Sequence, residues 1–220
     1  MRRVPPGLVL AAAAACSPVL AATSSFDTAG DTEGWVSAYN GGEPVVWVDG
    51  AIRVDDNTTE WAYLQAPAAF LAPIATGGSF SFDLWHQANE GERRPYGVRL
   101  ALTGADTTLI AELDAPTDTR TTYRFDLTEA QGWRIATDVQ QPQGNGTGNA
   151  DLATLGMVLG QLQGVYISAD YSDSNKVLGG TDRTFLDNVQ LLAAPVPEPQ
   201  PWAMLAAGVM ALGWLSHRRS

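Results

Sequence analysis

Short runs in which apolar and polar residues alternate recur along the centre of the chain, separated by Gly, Pro, Asp and Asn. In residues 80–85, Phe80, Phe82 and Leu84 alternate with Ser81 and Asp83. A strand with one buried face has this two-residue period. Further runs of the same kind occupy residues 45–48, 98–102, 123–127, 165–169 and 185–191. Many short strands with turn residues between them predict an all-β sandwich or jelly roll.

One segment follows a different period and predicts a single short helix. Its apolar residues stand at i, i+3, i+6, i+7 and i+10: Leu152, Leu155, Val158, Leu159 and Leu162. Asn149 or Asp151 can cap its start by accepting backbone N–H groups. Gly164 is the residue expected to end it.

Cysteine and charge restrict the chemistry of the central region. The chain has one cysteine, Cys16, so residues 23–195 contain no disulfide, thiolate nucleophile or cysteine metal site. The whole chain has a formal charge of −11, and residues 23–195 hold 9 basic against 23 acidic side chains, close to −14. This charge argues against binding nucleic acid or anionic membranes. It is compatible with cation binding or with neutral glycans.

The N-terminus has the pattern of a secretory signal peptide, predicted over residues 1–22. Arg2 and Arg3 precede an apolar run over residues 8–15, as in the charged and apolar regions of such signals. Small residues precede the expected cleavage sites, after Ala21 or Ala22. Signal peptidase is therefore an expected processing partner.

The C-terminus, residues 195–220, has three successive parts. A proline-rich motif, Val196, Pro197, Glu198 and Pro199, comes before an apolar run over residues 202–215, and Arg218 and Arg219 close the chain. This order resembles the PEP-CTERM sorting signal. The resemblance implies transient membrane insertion through residues 202–215 and cleavage by an exosortase in a Gram-negative-type bacterium that makes an extracellular polysaccharide matrix. The protein would pass through the inner membrane before reaching the surface or matrix.

The region between the ends, residues 23–194, shows a second resemblance, strongest over residues 55–192. It rests on these positions in order: Phe26, Gly34, Trp35, Trp61, Ala66, Pro67, Phe70, Leu71, Tyr96, Gly97, Val98, Leu102, Thr103, Gly104, Trp133, Val158, Leu159, residues 165–171 and residues 185–189. The order resembles the laminin IV type A domain, also called laminin B. That family implies a jelly-roll fold of the galactose-binding-like type, with one short helix here.

No catalytic constellation stands out, so the protein is not predicted to be an enzyme. A Ser-His-Asp triad would have to use His86, and no G-x-S-x-G motif accompanies it. Zinc and phosphate-loop motifs are also missing from the sequence. Acidic residues are numerous, however, and a carboxylate pair depends on spatial separation. An extracellular glycan hydrolase or lyase therefore remains an alternative.

Two interpretations of the acidic residues stay open: a solvated acidic loop, or a structural calcium ion as the cofactor. One set of oxygen ligands falls in or beside a single loop: Asp170, Asp173, Asn175 and Asp182. A second set joins Asp27 and Asp31 to Asp187 on the last strand, by analogy with related jelly rolls. Ca²⁺ takes six to eight oxygen ligands of this kind.

The central region has five tryptophans, at positions 35, 47, 61, 85 and 133. Trp47, Trp61 and Trp133 are predicted to be core residues. Alternation places Trp85 on the polar side of its strand, where either packing or ligand contact is open. If the strands on both sides of residues 87–95 pair with each other, Trp85, His86, Tyr96 and Arg99 form one sugar-binding group.

These features together favour an exported, non-catalytic binding or adhesion module at the cell surface or in the matrix. Its expected partners are extracellular polysaccharide or surface proteins. A structural matrix protein crosslinked by calcium is a further alternative.

Overall fold

The computed structural model describes residues 19–39, 43–56, 61–88, 95–140, 147–172 and 182–194. Residues Val19–Ala194 form one compact unit. The strands are β1 (Val19–Ser24), β2 (Val36–Ala38), β3 (Val46–Val48), β4 (Ala51–Asp55), β5 (Tyr63–Gln65), β6 (Ser79–Gln87), β7 (Arg99–Gly104), β8 (Thr107–Glu112), β9 (Thr121–Asp126), β10 (Arg134–Ala136), β11 (Gly148–Asn149), β12 (Leu162–Ser168) and β13 (Arg183–Ala193). The helix α1 spans Leu152–Gly160, and 3-10 turns occupy Ala68–Phe70 and Glu129–Gln131.

The strands form two sheets, and every strand pairing within them is antiparallel. The six-stranded sheet has the order β3-β4-β13-β6-β9, with β1 also paired to β13. The seven-stranded sheet has the order β11-β10-β8-β7-β12-β5-β2. The predicted all-β sandwich with one short helix is confirmed.

The main core is made by the inward-facing residues of both sheets. Phe80, Phe82 and Leu84 of β6 are buried, as the two-residue alternation requires. They belong to the same cluster as Leu100 of β7 and Trp133. Trp47 is half-buried against this cluster and donates its Nε1–H to the carbonyl of Phe26 at 2.7 Å.

The helix begins at the predicted residue but ends earlier in the chain than predicted. The Oδ1 of Asp151 accepts the backbone N–H of Thr154 at 2.8 Å, as an N-cap residue does. The helix stops at Gly160, so the prediction that Gly164 ends it is wrong. A Cβ on Gly104 would lie 2.6 Å from the carbonyl oxygens of Val158 and Gln161. The helix end therefore rests directly on β7, and the chain continues from there into β12.

No helix within these ranges is long and apolar enough to cross a membrane. The predicted sorting helix, residues 202–215, lies outside the described residues.

Candidate binding face

The outer face of the six-stranded sheet, which points away from the core, carries charged pairs. Arg53 Nε lies 2.7 Å from Asp55 Oδ1, and Arg124 Nε lies 3.0 Å from Asp126 Oδ1. An antiparallel sheet commonly shows such a polar face to water.

Trp85 lies on this outer face, but both faces of its ring are already in contact. It stacks on Phe185 of β13 with a centroid distance of 5.0 Å and an interplanar angle of 4°. The guanidinium carbon of Arg120 lies 5.6 Å from the Trp85 ring centroid. Strands β13 and β9 flank β6 on opposite sides, so Phe185 and Arg120 approach from opposite sides. No open ring face is left for stacking on a sugar.

Arg120 also bridges two carboxylates beside this stack. Its Nε lies 3.0 Å from Asp83 Oδ2, and its other end bonds to Asp187. Partial burial raises the pKa of Asp83, but hydrogen bonds from Thr122, Asn188 and Arg120 outweigh it and lower that pKa below its usual range. Burial raises the pKa of Asp187, and Arg120 offsets this only in part.

The expected sugar-binding group of Trp85, His86, Tyr96 and Arg99 does not form, because its members lie on different surfaces. His86 is 0% exposed and points to the core side of β6. Arg99 belongs to β7 in the other sheet. Strand β6 pairs with β9 and β13, so the strands on either side of residues 87–95 are not neighbours.

The outer face of the seven-stranded sheet carries a second hydrophobic cluster. It consists of Tyr63, Ala101, Ile110, Ala136 and Val139, each at most 7% exposed. Their strand neighbours Leu64, Leu100 and Leu102 point the other way, into the main core. An outer face this apolar is unusual, because a monomer normally exposes polar residues there.

Arg99 anchors this cluster. Its guanidinium pairs with Glu112, with Nε–Oε1 at 2.8 Å and NH2–Oε1 at 2.6 Å. Its NH1 donates to the Tyr63 hydroxyl at 3.2 Å and to the Val139 carbonyl at 3.3 Å. Burial raises the pKa of Tyr63 to about 12, although Arg99 opposes this shift. The hydrogen bonds to the Val139 carbonyl therefore hold the segment around Val139 against the outer face of the sheet.

Larger aromatic residues lie beside this cluster, and we call them the aromatic face: Tyr39, Trp61 and Tyr166, with Tyr96 at the edge, where it packs against the main core and against Trp61. Tyr39 is 42% exposed, and its ring centroid lies 6.1 Å from that of Tyr166. Trp61 and Tyr96 are half-buried with centroids 5.0 Å apart. The guanidinium carbon of Arg99 lies 5.5 Å from the Trp61 centroid.

The absence of a side chain at Gly164 leaves room for the ring of Tyr166. A Cβ on Gly164 would lie 2.5 Å from Tyr166 Cε2 and 2.7 Å from Thr103 Oγ1. The ring of Tyr166 therefore rests against the glycine, and its hydroxyl bonds to Thr103. This leaves the ring as a platform on the sheet surface.

The sequence placed Tyr96 and Arg99 at a site but did not identify the rest of this face. Of the three tryptophans predicted to be core residues, Trp133 is buried in the main core, Trp47 is half-buried against that core, and Trp61 is half-buried against the second cluster on the outer face. A signal was present for Tyr166, because it stands between the core residues Val165 and Ile167 and must point outward.

Part of the predicted calcium loop comes together with a residue that the sequence did not indicate. Carboxylate oxygens of Asp56, Asp170 and Asp182 lie within 4.8 Å of one another. The backbone N–H of Asp56 donates to the carbonyl of Asp182 at 2.9 Å, which fixes β4 beside β13 at this point. Asp173 and Asn175 lie outside the described residues.

His86 borders this acidic group. Its Nε2 lies 3.3 Å from Asp182 Oδ1, and its Nδ1 lies 3.1 Å from Thr184 Oγ1. Thr184 donates its hydroxyl hydrogen to the carbonyl of Ala169 at 2.8 Å. The His86 Nδ1 must therefore be the donor to Thr184.

The second predicted calcium set is not assembled. The acidic group found among the described residues does not include Asp27, Asp31 or Asp187. Asp27 accepts a hydrogen bond from the Ser25 hydroxyl at 2.7 Å, and Asp31 accepts one from the backbone of Glu33. Asp187 is bound to Arg120 on the outer face.

The predicted processing sites lie at the edges of the described region. Ala21 and Ala22 are in β1, which pairs with β13. The sorting motif, Val196 to Pro199 with Arg218 and Arg219, lies outside the described residues.

Comparison with known proteins agrees with the fold. The Laminin B (Domain IV) family matches residues 63–206, so the chain belongs to this family. Laminin-type domains are extracellular, which is consistent with export. No curated protein sequence matches the chain.

The L4b domain of human laminin alpha-2 has a similar structure, with a TM-score of 0.57 and 12% identity, covering 81% of this chain and 100% of that domain. Two carbohydrate-binding modules overlap less well. One is the module CtCBM11, with a TM-score of 0.49 and 15% identity, covering 83% of this chain and 99% of that one. The other, a xylan-binding domain of Paenibacillus barcinonensis, has a TM-score of 0.46 and 13% identity, covering 83% and 100%. These weaker similarities carry no information about a ligand of this chain.

Proposed function

We propose that this protein is an exported, non-catalytic module that binds a neutral extracellular polysaccharide through its aromatic face. The observation that carries the proposal is the contrast between the two sheets. The six-stranded sheet has charged pairs on its outer face, whereas the seven-stranded sheet has a buried apolar cluster with partly exposed aromatic rings beside it.

The chemistry of the face suits a sugar chain. Binding sites are commonly lined by aromatic side chains with a few polar groups that fix orientation, and Tyr and Trp offer an apolar ring with a polar end. Tyr166 stands opposite Gln65, four residues from Trp61, which corresponds to about 13 Å of extended chain. The face is therefore longer than a single sugar ring.

The charges favour a neutral ligand. Arg99, the cation at the centre of the face, is 0% exposed and already paired with Glu112. The central region as a whole is acidic, which disfavours polyanions.

Retention on a panel of immobilised neutral polysaccharides tests the proposal. Tyr166→Ala and Tyr39→Ala should weaken binding about tenfold or more, since losing an aromatic anchor typically costs over about 1 kcal/mol. Trp85→Ala is the matched control and should retain binding, because its ring faces are already occupied. Loss of binding only in Trp85→Ala would contradict the assignment. Release of shortened sugar products would favour the hydrolase alternative.

A structural calcium ion is a second part of the proposal. The carboxylates of Asp56, Asp170 and Asp182 support it, because they join three separate segments of the fold. A ligand that binds only the folded state raises the melting temperature. Calcium should therefore raise it relative to EDTA in the natural protein and in the exposed-loop control Asp27→Asn, but not in Asp170→Asn. Equal melting temperatures with calcium and EDTA would rule the ion out.

Export and sorting complete the proposal, supported by the sequence patterns at the two ends. Replacing Pro197, Glu198 and Pro199 with alanine should leave a longer, membrane-retained form in cells that contain an exosortase. Immunoblotting of membrane and surface fractions measures this. Unchanged processing would contradict the sorting assignment.

A further inference from the structure

Strand β9 ends the six-stranded sheet, and its backbone shows which groups face the open edge. The N–H of Leu127, just after β9, donates to the carbonyl of Gly78 at 2.9 Å, and the N–H of Gly77 donates to the carbonyl of Leu127 at 2.7 Å. The backbone N–H and C=O groups of the odd-numbered residues in this segment therefore point toward β6. Backbone groups alternate sides along a strand, so even-numbered residues face outward.

Asp126 confirms this alternation. Its N–H donates to Gln131 Oε1 at 2.9 Å, and its carbonyl accepts the Trp133 Nε1–H at 3.1 Å. By the same alternation, Thr122 and Arg124 direct two N–H and two C=O groups to the open edge. Within the described part of the chain, no hydrogen bond reaches these backbone groups from that side.

A groove of about 730 Å³ lies beside this edge. Its sides are residues 121–124 of β9 and residues 112–115, where the chain passes from one sheet to the other. Tyr123, which is buried, lines it between Thr122 and Arg124. The groove thus gives access to the backbone edge of β9.

We propose that this groove is a strand-addition site, in which an extended segment of a partner protein pairs with Thr122 and Arg124 of β9. Alternating N–H and C=O groups at a sheet edge are complementary to another extended backbone. A sugar lacks this repeat. The site is separate from the aromatic face, which lies on the other sheet.

Charge in the groove favours a partner segment with a basic side chain. Glu112 is paired with Arg99, and Arg124 is paired with Asp126. Asp114 is exposed, and no ion pair to it is found among the described residues. Asp114 itself lines the groove, and burial, followed by the charge of Asp114, raises the pKa of Tyr123.

A second copy of the domain fits this edge poorly. A two-fold pairing that sets Thr122 opposite Arg124 of the copy would bring the copy's turn Glu129–Gln131 against residues 115–117. Ala115 and Thr117 line the groove, so in this register the copy would have to fit a turn into it. A single extended segment brings no such turn.

Residue-resolved amide hydrogen exchange on the full chain tests the site, with a peptide of alternating valine and lysine as the probe. In the free protein the amides of Thr122 and Arg124 should exchange quickly, and those of Tyr123 and Phe125 slowly. Saturating peptide should slow Thr122 and Arg124 about tenfold or more. The same peptide with alternate backbone nitrogens methylated keeps its charge and should not bind.

Variants at one position complete the test. Thr122→Pro removes an outward N–H from β9 together with the hydroxyl that donates to Asp83 at 2.6 Å, and it should weaken peptide binding about fivefold or more. Thr122→Val loses the same hydroxyl but keeps this N–H, and it should bind within about twofold of the natural protein. Absent binding, equal binding by the methylated peptide, or equal binding to Thr122→Pro would each overturn the proposal. Tyr166→Ala should leave peptide binding unchanged, which separates this result from the polysaccharide assay.

Discussion

The ion pair beneath the aromatic face gives a quantitative test of how that face is held. Arg99 is 0% exposed, whereas the Glu112 side chain is 28% exposed. Replacing Glu112 with glutamine keeps an oxygen acceptor but removes the counter-charge of a buried guanidinium. Breaking a buried pair by removing one partner commonly costs about 3–5 kcal/mol. Because water still reaches Glu112, we expect a loss of about 2 kcal/mol for Glu112→Gln.

A double-mutant cycle with Arg99→Met isolates the interaction. Once the guanidinium is gone, Glu112 can turn to water, so the second substitution should cost little. We expect a coupling free energy of about 1–2 kcal/mol, with the double variant more stable than the sum of the single losses predicts. For a domain of this size, the loss in Glu112→Gln corresponds to a melting temperature lower by about 4–8 °C.

Urea unfolding of the natural protein, the two single variants and the double variant measures these quantities. The slope against denaturant should stay constant, since the exposed surface is nearly unchanged. Additive losses, within about 0.5 kcal/mol, would refute the view that this pair holds the face together. In that case the aromatic face would depend on apolar packing alone.

Further predictions concern the pH dependence of stability, a strained turn and the position of the Tyr166 ring. Because the pKa of Asp83 is lowered in the fold, its stabilisation is present above the unfolded value of about 4 and is lost as pH falls through the folded value. Asp83→Asn should therefore be most harmful near neutral pH. The raised pKa of Asp187 means that its ionisation costs stability as pH rises above the unfolded value of about 4 through the folded value, so the stability of Asp187→Asn should increase relative to the natural protein over that interval. Melting temperatures across this range check both, and parallel slopes would contradict them. Ala105 has a φ of 48° in the β7–β8 turn, so Ala105→Gly should add about 0.5–1 kcal/mol in urea unfolding, and a loss would show that the turn is not strained. Gly164→Ala should displace the ring of Tyr166 and weaken polysaccharide binding with the far-ultraviolet circular dichroism unchanged; full binding would contradict the platform role.

The class of the fold and the direction in which most side chains point could be predicted from the amino-acid sequence. Alternation placed Phe82 and Leu84 inside and Trp85 outside, because successive side chains of a strand must point to opposite faces. The helix start was also readable, since Asp151 satisfies the first backbone N–H groups locally. These features depend only on neighbouring residues.

Which strands share a sheet could be seen only in the folded chain. Pairing in a sandwich joins residues far apart in the chain, so alternation along one strand gives no information about its neighbours. For this reason Arg99 lies beside Glu112 and Trp61 rather than beside Trp85. Asp56 joins Asp170 and Asp182 for the same reason, because β4 and β13 meet only in the folded chain.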